Sequence, residues 1–186
     1  NNTITPYARV RKEIQYGNID LTIMYQDSRM HNYVNYIAPL PSKQIVIISL
    51  QGKPFKNIAD LSGKTILHLR GGVFYDEINN DKTITQYEVN SHTLGIKMLI
   101  AGRADAMIGT KQTLQSAILK IEKEDNIKIL LSEPIFLEAR TPWIQVSKES
   151  NSYLDIEKLK QSFLQLEAMD TFKTLTAKYS QSAEVK

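Results

Sequence analysis

Apolar and polar residues recur with two different periods in the first part of the chain, and these periods predict a helix followed by strands. Residues 6–16 carry apolar side chains at helical spacing, and Gly17 follows at a position suited to a helix C-terminus. Residues 19–23 alternate between apolar and polar side chains, which predicts a half-buried strand, and residues 33–37 predict a weaker one. Residues 44–50, QIVIISL, are apolar on both faces and predict a buried strand.

The middle of the chain alternates strand patterns with helix patterns, and this alternation predicts the fold class. The predicted strands cover residues 65–69, 85–89, 105–108 and 127–131. A short helix is expected over residues 73–78, and Ser91 and Thr110 can cap two longer helices because their hydroxyls accept bonds from backbone N–H groups. Such a succession predicts an α/β fold with a mainly parallel sheet and helices on both faces.

The last third of the chain has a different pattern. Residues 143–146, WIQV, predict one more strand after a proline. Apolar residues then recur at helical spacing over residues 156–166 and again over residues 169–179. Two amphipathic helices are therefore expected at this end.

Composition excludes several classes of protein. With 186 residues, 42% hydrophobic and 23% charged, the chain can bury a core, and it corresponds to about 1.2 domains of about 150 residues. The formal charge of +3 is spread along the chain, so no nucleic-acid partner is expected. No apolar run is long enough to span a membrane. The chain has no cysteine, and His31, His68 and His92 lie far apart, so neither a metal site nor a cofactor is expected.

The best candidate for a ligand site is the loop at residues 69–73, LRGGV, which comes after a predicted strand. Ligands of open parallel sheets bind beyond the carboxyl ends of the strands. Gly71 and Gly72 would present bare backbone N–H groups, and the helix after them would present its positive end. Arg70 would add a charge with bidentate geometry. Together these features suit the binding of an anion. The other interpretation is a solvated arginine beside a turn that needs glycine. A second candidate, Thr110 at a helix start, is also explained by helix capping.

Four short motifs follow one another along the chain. They are Gly17-x-Ile19-Asp20 with Arg29 nine residues further, Ala59-Asp60-Leu61-Ser62-Gly63-Lys64, Leu99-x-x-Gly102-Arg103-x-Asp105-Ala106, and the stretch from Leu166 to Tyr179. Together they resemble the bacterial extracellular solute-binding protein family 3, the periplasmic receptors of polar amino acid ABC transporters. The likeness covers nearly the whole chain.

The resemblance implies a two-lobed clamshell of the type II periplasmic-binding fold, with doubly wound lobes. One lobe would be continuous, residues 49–137, and the other split between residues 1–48 and 138–186. Residues 44–50 and 135–139 would be the crossings between lobes. A complete member begins with a further strand, loop and helix. The split lobe is therefore expected to be incomplete, either because the chain is a truncated piece or because a neighbouring chain supplies the rest.

The resemblance also implies a function. The protein would capture a small amino-acid-like or carboxylate ligand between its lobes and deliver it to the permease of an ABC transporter. It would work in the periplasm or outside the cell after loss of a signal peptide. No catalysis is expected of it.

The resemblance assigns binding roles to particular residues. Arg29 falls where amino-acid-binding members place the arginine that clamps the ligand carboxylate, and residues 70–73 fall on the loop that offers hydroxyls and N–H groups. In that loop Gly72 and Val73 stand where a threonine pair is usual. Thr110 stands where members place the acidic residue that pairs with the ligand ammonium.

Further positions in the first lobe also depart from the family pattern. Thr22 and Met24 occupy the small hydroxyl positions before the arginine, and Trp143, which is more often a core residue, could stack over a cleft. We therefore expect an anionic or polar ligand without an essential α-ammonium group, held by Arg29 and Arg70.

Three other functions use the same scaffold and stay open at the level of sequence. A ligand-sensing domain of a transcription regulator would have a helix-turn-helix segment encoded upstream. The sensor module of a membrane-bound kinase would be recognised by the segment encoded after residue 186. An enzyme such as a dehydratase of cyclic acids would need a carboxylic acid for proton transfer, and only Glu77 or Glu138 could serve.

Overall fold

The computed structural model describes residues 5–72, 75–150, 152 and 155–181. The helices are α1 (Tyr7–Gln15), α2 (Asp76–Asn79), α3 (His92–Ile100), α4 (Lys111–Asp125), α5 (Ile156–Ala168) and α6 (Thr171–Gln181). The strands are β1 (Leu21–Tyr25), β2 (Val34–Pro39), β3 (Ile45–Ile48), β4 (Thr65–Leu69), β5 (Thr85–Val89), β6 (Ala106–Thr110), β7 (Ile135–Phe136) and β8 (Pro142–Ser147). Short 3-10 turns at Ser28–Met30 and Ile58–Leu61 complete the regular structure.

The chain divides into two compact units. The first contains the residues up to Lys43 and those from Arg140 onward, and the second is the continuous segment Gln44–Ala139. The borders expected from sequence lie after residues 48 and 137. The observed borders differ because β3 pairs with β6 and with β7, so Ile45–Ile48 belong to the sheet of the second unit.

The first unit is built on a three-stranded sheet in the order β1-β8-β2, in which both pairs are antiparallel. One hydrophobic cluster joins Ile14 of α1 to Met30 and Val34. A second cluster packs α5 against β2 and β8, through Ile156, Leu159, Phe163, Ile37, Ala38, Ile144 and Val146. The expectation of mainly parallel strands therefore does not apply to this sheet, because β8 returns from the far end of the chain between two earlier strands. That this unit lacks its first half stays a prediction.

The second unit contains a mixed five-stranded sheet in the order β5-β4-β6-β3-β7. The pairs of β4 with β5 and with β6 are parallel, as the alternating pattern predicts, whereas β3 runs antiparallel to both of its neighbours. Its core joins the sheet to α3 and α4 through Leu67, Ile96, Leu99, Met107, Leu114 and Ile121. The α/β fold class is confirmed.

The predicted strand at residues 127–131 does not form. Leu131 makes only an isolated bridge with Leu50, and β7 instead pairs with β3 through Ile135 and Phe136. Leu131 and Ile129 still pack against the core of the unit. Ile127 and Leu130, in contrast, are exposed, so the apolar pattern of this segment indicates neither a strand nor a fully buried segment.

The two places where the chain passes from one unit to the other are tied by backbone hydrogen bonds. Lys43 and Arg140 exchange bonds of 2.8 and 2.9 Å in the first unit. In the second unit the Leu137 N–H donates to Ile45 O at 3.0 Å. The crossings predicted at residues 44–50 and 135–139 are thus shorter than expected, since Ile45–Ile48 of the first belong to β3 and Ile135–Phe136 of the second belong to β7.

Candidate functional site

The loop after β4 does not leave its backbone N–H groups bare. Gly71 adopts a positive φ of 75°, which glycine tolerates at no steric cost. Its N–H donates to Glu88 Oε1 at 3.3 Å, and the Gly72 N–H donates to Leu69 O at 2.9 Å within the turn. Val73 lies outside the described residues. Both glycine donors that the sequence assigned to a ligand are therefore used within the protein.

Arg70 pairs with the same carboxylate. Its Nε lies 3.4 Å from Glu88 Oε2, and the two side chains are 56% and 47% exposed. An ion pair this exposed contributes little to stability. The helix expected directly after the glycines begins only at Asp76 and is four residues long, so it adds no helix N-terminus to the loop. The charge of Arg70 is therefore balanced by a carboxylate of the same unit.

Thr110 ends β6 and caps α4. Its Oγ1 accepts a bond from the Thr113 N–H at 3.2 Å and lies 2.7 Å from Thr113 Oγ1. Helix capping thus accounts for this hydroxyl. Because β4 and β6 are parallel neighbours, Arg70 and Thr110 both lie at the carboxyl edge of one sheet, which is where open α/β sheets bind ligands.

Arg29 comes after β1 in the first unit and is fixed by Asp27. Its Nε donates to Asp27 Oδ1 at 2.9 Å and its Nη2 to Oδ2 at 2.8 Å, while its own backbone N–H bonds to Oδ1. The bonds from Arg29 hold the pKa of the Asp27 carboxyl below its ordinary value. The Arg29 side chain is 60% exposed, whereas that of Asp27 is 10% exposed. The arginine is therefore oriented without being buried.

Asp27 also binds Arg11, which sequence reasoning missed. Arg11 Nη2 lies 2.5 Å from Asp27 Oδ2, and its side chain is only 18% exposed. Arg11 Nε is a buried atom without a hydrogen-bond partner. A local signal existed for Asp27, since an aspartate before Ser-Arg-Met is a typical cap of a short helical turn. No signal pointed to Arg11, because it reaches Asp27 from α1.

Several aromatic side chains of the first unit contact one another or Arg140. The Arg140 guanidinium lies 5.0 Å from the centroid of the Tyr25 ring, a cation–π contact. The ring of Tyr36 makes edge-to-face contacts with His31 at 5.4 Å and with Trp143 at 6.0 Å. Trp143 is thus part of an aromatic row within its own unit.

The remaining predicted residues share one sheet with Trp143. Met24 lies opposite Trp143 in the pairing of β1 with β8, and Thr22 lies opposite Gln145. Met24 is 4% exposed and belongs to the core, so its side chain is not presented to solvent. Gln145, which the sequence did not single out, is buried and its Nε2 donates to Met24 O at 3.0 Å.

The predicted residues therefore form two groups. Thr22, Met24 and Trp143 share the sheet of the first unit with Arg29 close after β1, while Arg70, Gly71, Gly72 and Thr110 lie at one sheet edge of the second. Among the described residues, no group of three or more histidine, aspartate or glutamate side chains is placed to hold a metal ion. No helix in that same part of the chain is both long and apolar enough to cross a membrane.

Comparison with known proteins identifies the fold. No protein-family model and no curated protein matches the sequence. Solved structures do match. A mutant of ArgBP from T. maritima has a TM-score of 0.76 and is 20% identical in sequence. The match covers 95% of this chain and 75% of that chain. The substrate-binding protein AbpA of an amino acid ABC transporter from Streptococcus pneumoniae, bound to L-arginine, matches at 15% identity over 99% and 77%, with a TM-score of 0.77.

A third structure has the same architecture. The solute receptor for L-cysteine of Neisseria gonorrhoeae matches at 16% identity over 99% of this chain and 74% of that chain, with a TM-score of 0.70. The chain has the periplasmic-binding-protein fold. It spans about three quarters of the length of these proteins. The resemblance to solute-binding protein family 3 is thus confirmed at the level of the fold, and the matched proteins are binding proteins.

Proposed function

We propose that this protein is an extracytoplasmic solute-binding protein that captures a small polar or anionic ligand for an ABC transporter. The observation that carries the proposal is that Arg29 is both oriented and exposed. Its guanidinium is oriented by Asp27 at the end of β1 and yet is 60% exposed. A guanidinium has five N–H donors, so donors remain for a ligand after the bonds from Nε and Nη2.

The class of ligand is argued from charge. Arg29 supplies an oriented cation in the first unit, and Arg70 supplies a second at the sheet edge of the second unit. The position that the resemblance gives to an ammonium-binding acid is Thr110, whose hydroxyl caps α4. The ligand is therefore an anion, such as a carboxylate, that does not depend on an α-ammonium group. Thr22 and Trp143 are further proposed contacts, whereas Met24 is left out because its side chain is buried and its carbonyl oxygen accepts a bond from Gln145.

Calorimetric titration with a defined set of probes tests this proposal. The set contains succinate, acetate, L-glutamate, L-glutamine and L-arginine. We expect the dicarboxylate to bind more tightly than the zwitterions. Arg29→Ala should weaken its binding by at least about tenfold, since it removes a charge-assisted hydrogen bond. Arg9→Ala removes an exposed arginine of α1 that pairs with Glu13 and serves as the matched control.

Two results would contradict the proposed ligand class. One is tight binding of L-arginine or L-glutamine with no binding of succinate. The other is an affinity for succinate that Arg29→Ala leaves unchanged.

Cellular location and the transporter partner can be tested separately. The native gene product should be recovered in the extracytoplasmic fraction, and crosslinking in cells should capture a permease. Recovery in the cytoplasm together with DNA would instead favour a regulator.

A further inference from the structure

Glu88 holds together the two donors that the proposed site offers to an anion. It lies on β5, opposite His68 of β4 in a parallel pair. One carboxylate oxygen accepts from the Gly71 N–H at 3.3 Å, and the other lies 3.4 Å from Arg70 Nε. A protein carboxylate therefore sits where a ligand carboxylate would receive the same hydrogen bond and the same charge.

We propose that Glu88 is an internal substitute for the ligand anion, which the ligand must displace from Arg70 and Gly71. The inference rests on the proposed function only in taking this loop as a ligand site. Glu88 neutralises Arg70. The negative charge of Glu88 thereby selects against weakly charged ligands, because an incoming anion has to replace a contact that already exists.

The geometry makes displacement easy. Both contacts of Glu88 are long for a hydrogen bond to a charged group, which usually measures about 2.7–2.9 Å. Both side chains of the ion pair are about half exposed, so water can solvate each of them after separation. β5 is an edge strand of its sheet, so Glu88 is flanked by a paired strand on one side only.

Asp27 provides an internal comparison. It also pairs with an arginine of the proposed site, but it is 10% exposed and holds two arginines at once. A ligand cannot replace it without leaving Arg11 buried and unpaired, which is costly. The two carboxylates thus have different roles, since Asp27 orients its arginine and Glu88 competes for its arginine.

The test uses the Gly71 amide signal in ¹⁵N–¹H NMR spectra of the full chain, with acetate and succinate as probes. In Glu88→Gln the Gly71 signal should shift without any probe, and both probes should bind about 3- to 10-fold more tightly than to the unmodified protein. Glu88→Asp keeps the charge but shortens the side chain, so its affinity should lie between the two. Glu124→Gln, which removes an ion pair of similar exposure on α4, should match the unmodified protein.

The outcomes separate this inference from the proposed function. If Glu88→Gln leaves the Gly71 signal in place, or if both probes bind it no more tightly than Glu124→Gln, the role given to Glu88 is wrong while the loop remains an anion site. If neither probe shifts Gly71 in any variant, the loop does not bind anions, and the assignment of Arg70 to the ligand fails as well. The unchanged remainder of each spectrum reports that the variant is folded.

Discussion

At the scale of single residues, Arg29 and Arg70 each pair with a carboxylate of their own unit. Asp27 is nearly buried and binds Arg29 and Arg11, whereas Glu88 is half exposed and binds Arg70 and the Gly71 N–H. Burial decides how strongly each carboxylate is held, because solvent competes with the half-exposed pair and much less with the buried one. The first arginine is therefore fixed in orientation and the second is adjustable.

Asp27→Asn should destabilise the protein in a pH-dependent way. Bonds from Arg29 and the charge of Arg11 lower the pKa of Asp27 in the folded state. A lowered pKa contributes stability above the unfolded pKa, and this contribution is lost as the pH falls through the folded value. We expect a loss of about 2 kcal/mol at pH 7 that shrinks as the pH falls through the lowered pKa of the folded Asp27 carboxyl, measured by urea unfolding.

The control for this prediction is Asp125→Asn. It removes the half-exposed partner of Lys97 and should cost less than about 1 kcal/mol. A loss in Asp27→Asn that is the same at pH 7 and pH 3 would show that the carboxylate charge is not responsible.

Sequence reasoning found the arginines but not their partners. Arg29, Arg70 and Gly71 come after predicted strands at the spacing of the family motifs, so the sequence alone is enough to single them out. Glu88 and Arg11 come from other elements, and only the register of β4 with β5 and the packing of α1 bring them near. The hydrogen-bond donors of a loop can therefore be predicted from sequence. Whether another side chain of the same protein already accepts their hydrogen bonds cannot be predicted in this way.

At the scale of elements, the pattern of apolar and polar residues predicted most of the helices and strands that have a buried face. It succeeded for β3, for β8 and for α3, whose cap Ser91 accepts from the Leu94 N–H as expected. It failed at residues 127–131, where the only strand-like pairing is the isolated bridge of Leu131 with Leu50. The apolar pattern could not show that Ile135 and Phe136 pair with β3 instead, because strand pairing depends on the three-dimensional position of a segment as well as on its apolar content.

Removing the cap of α4 should weaken the second unit. Thr110 Oγ1 accepts the Thr113 N–H, which would otherwise lack an intrahelical partner. We expect Thr110→Ala to cost about 1 kcal/mol in the free energy of unfolding, measured by urea denaturation. Thr110→Ser keeps the oxygen and should cost less than half as much, and equal losses in the two variants would contradict a capping role.

The turn after α1 requires glycine for two reasons. Gly17 has a positive φ of 73°, and a Cβ added there would lie 2.1 Å from Glu149 O. Gly17→Ala should therefore lower the free energy of unfolding by more than about 3 kcal/mol, because the alanine would be strained at this φ and the backbone at Glu149 would also have to move. Gly52→Ala is the matched control, since Gly52 has a φ of 88° but no atom within 4 Å of the added Cβ. Its cost should be about 1 kcal/mol, and equal melting temperatures of the two variants would contradict the close approach.

At the scale of the whole molecule, the chain builds two units with separate sheets and separate cores. The first unit depends on segments from both ends of the chain, since β8 lies between β1 and β2. The second is continuous in sequence and keeps all of its strand pairs to itself. A unit with its own sheet and core has what independent folding requires.

The segment Gln44–Ala139 should accordingly fold alone. Its ends are joined within the unit, because Leu137 bonds to Ile45 and β7 pairs with β3. We expect a single cooperative urea transition and an NMR spectrum that overlays the signals of the same residues in the full chain. A shorter segment ending at Glu133 loses β7 and should be clearly less stable. If the longer segment folds and its Gly71 signal still responds to Glu88→Gln, the contact between Glu88 and the loop belongs to this unit alone. A segment without a cooperative transition would show instead that the second unit needs the first in order to fold.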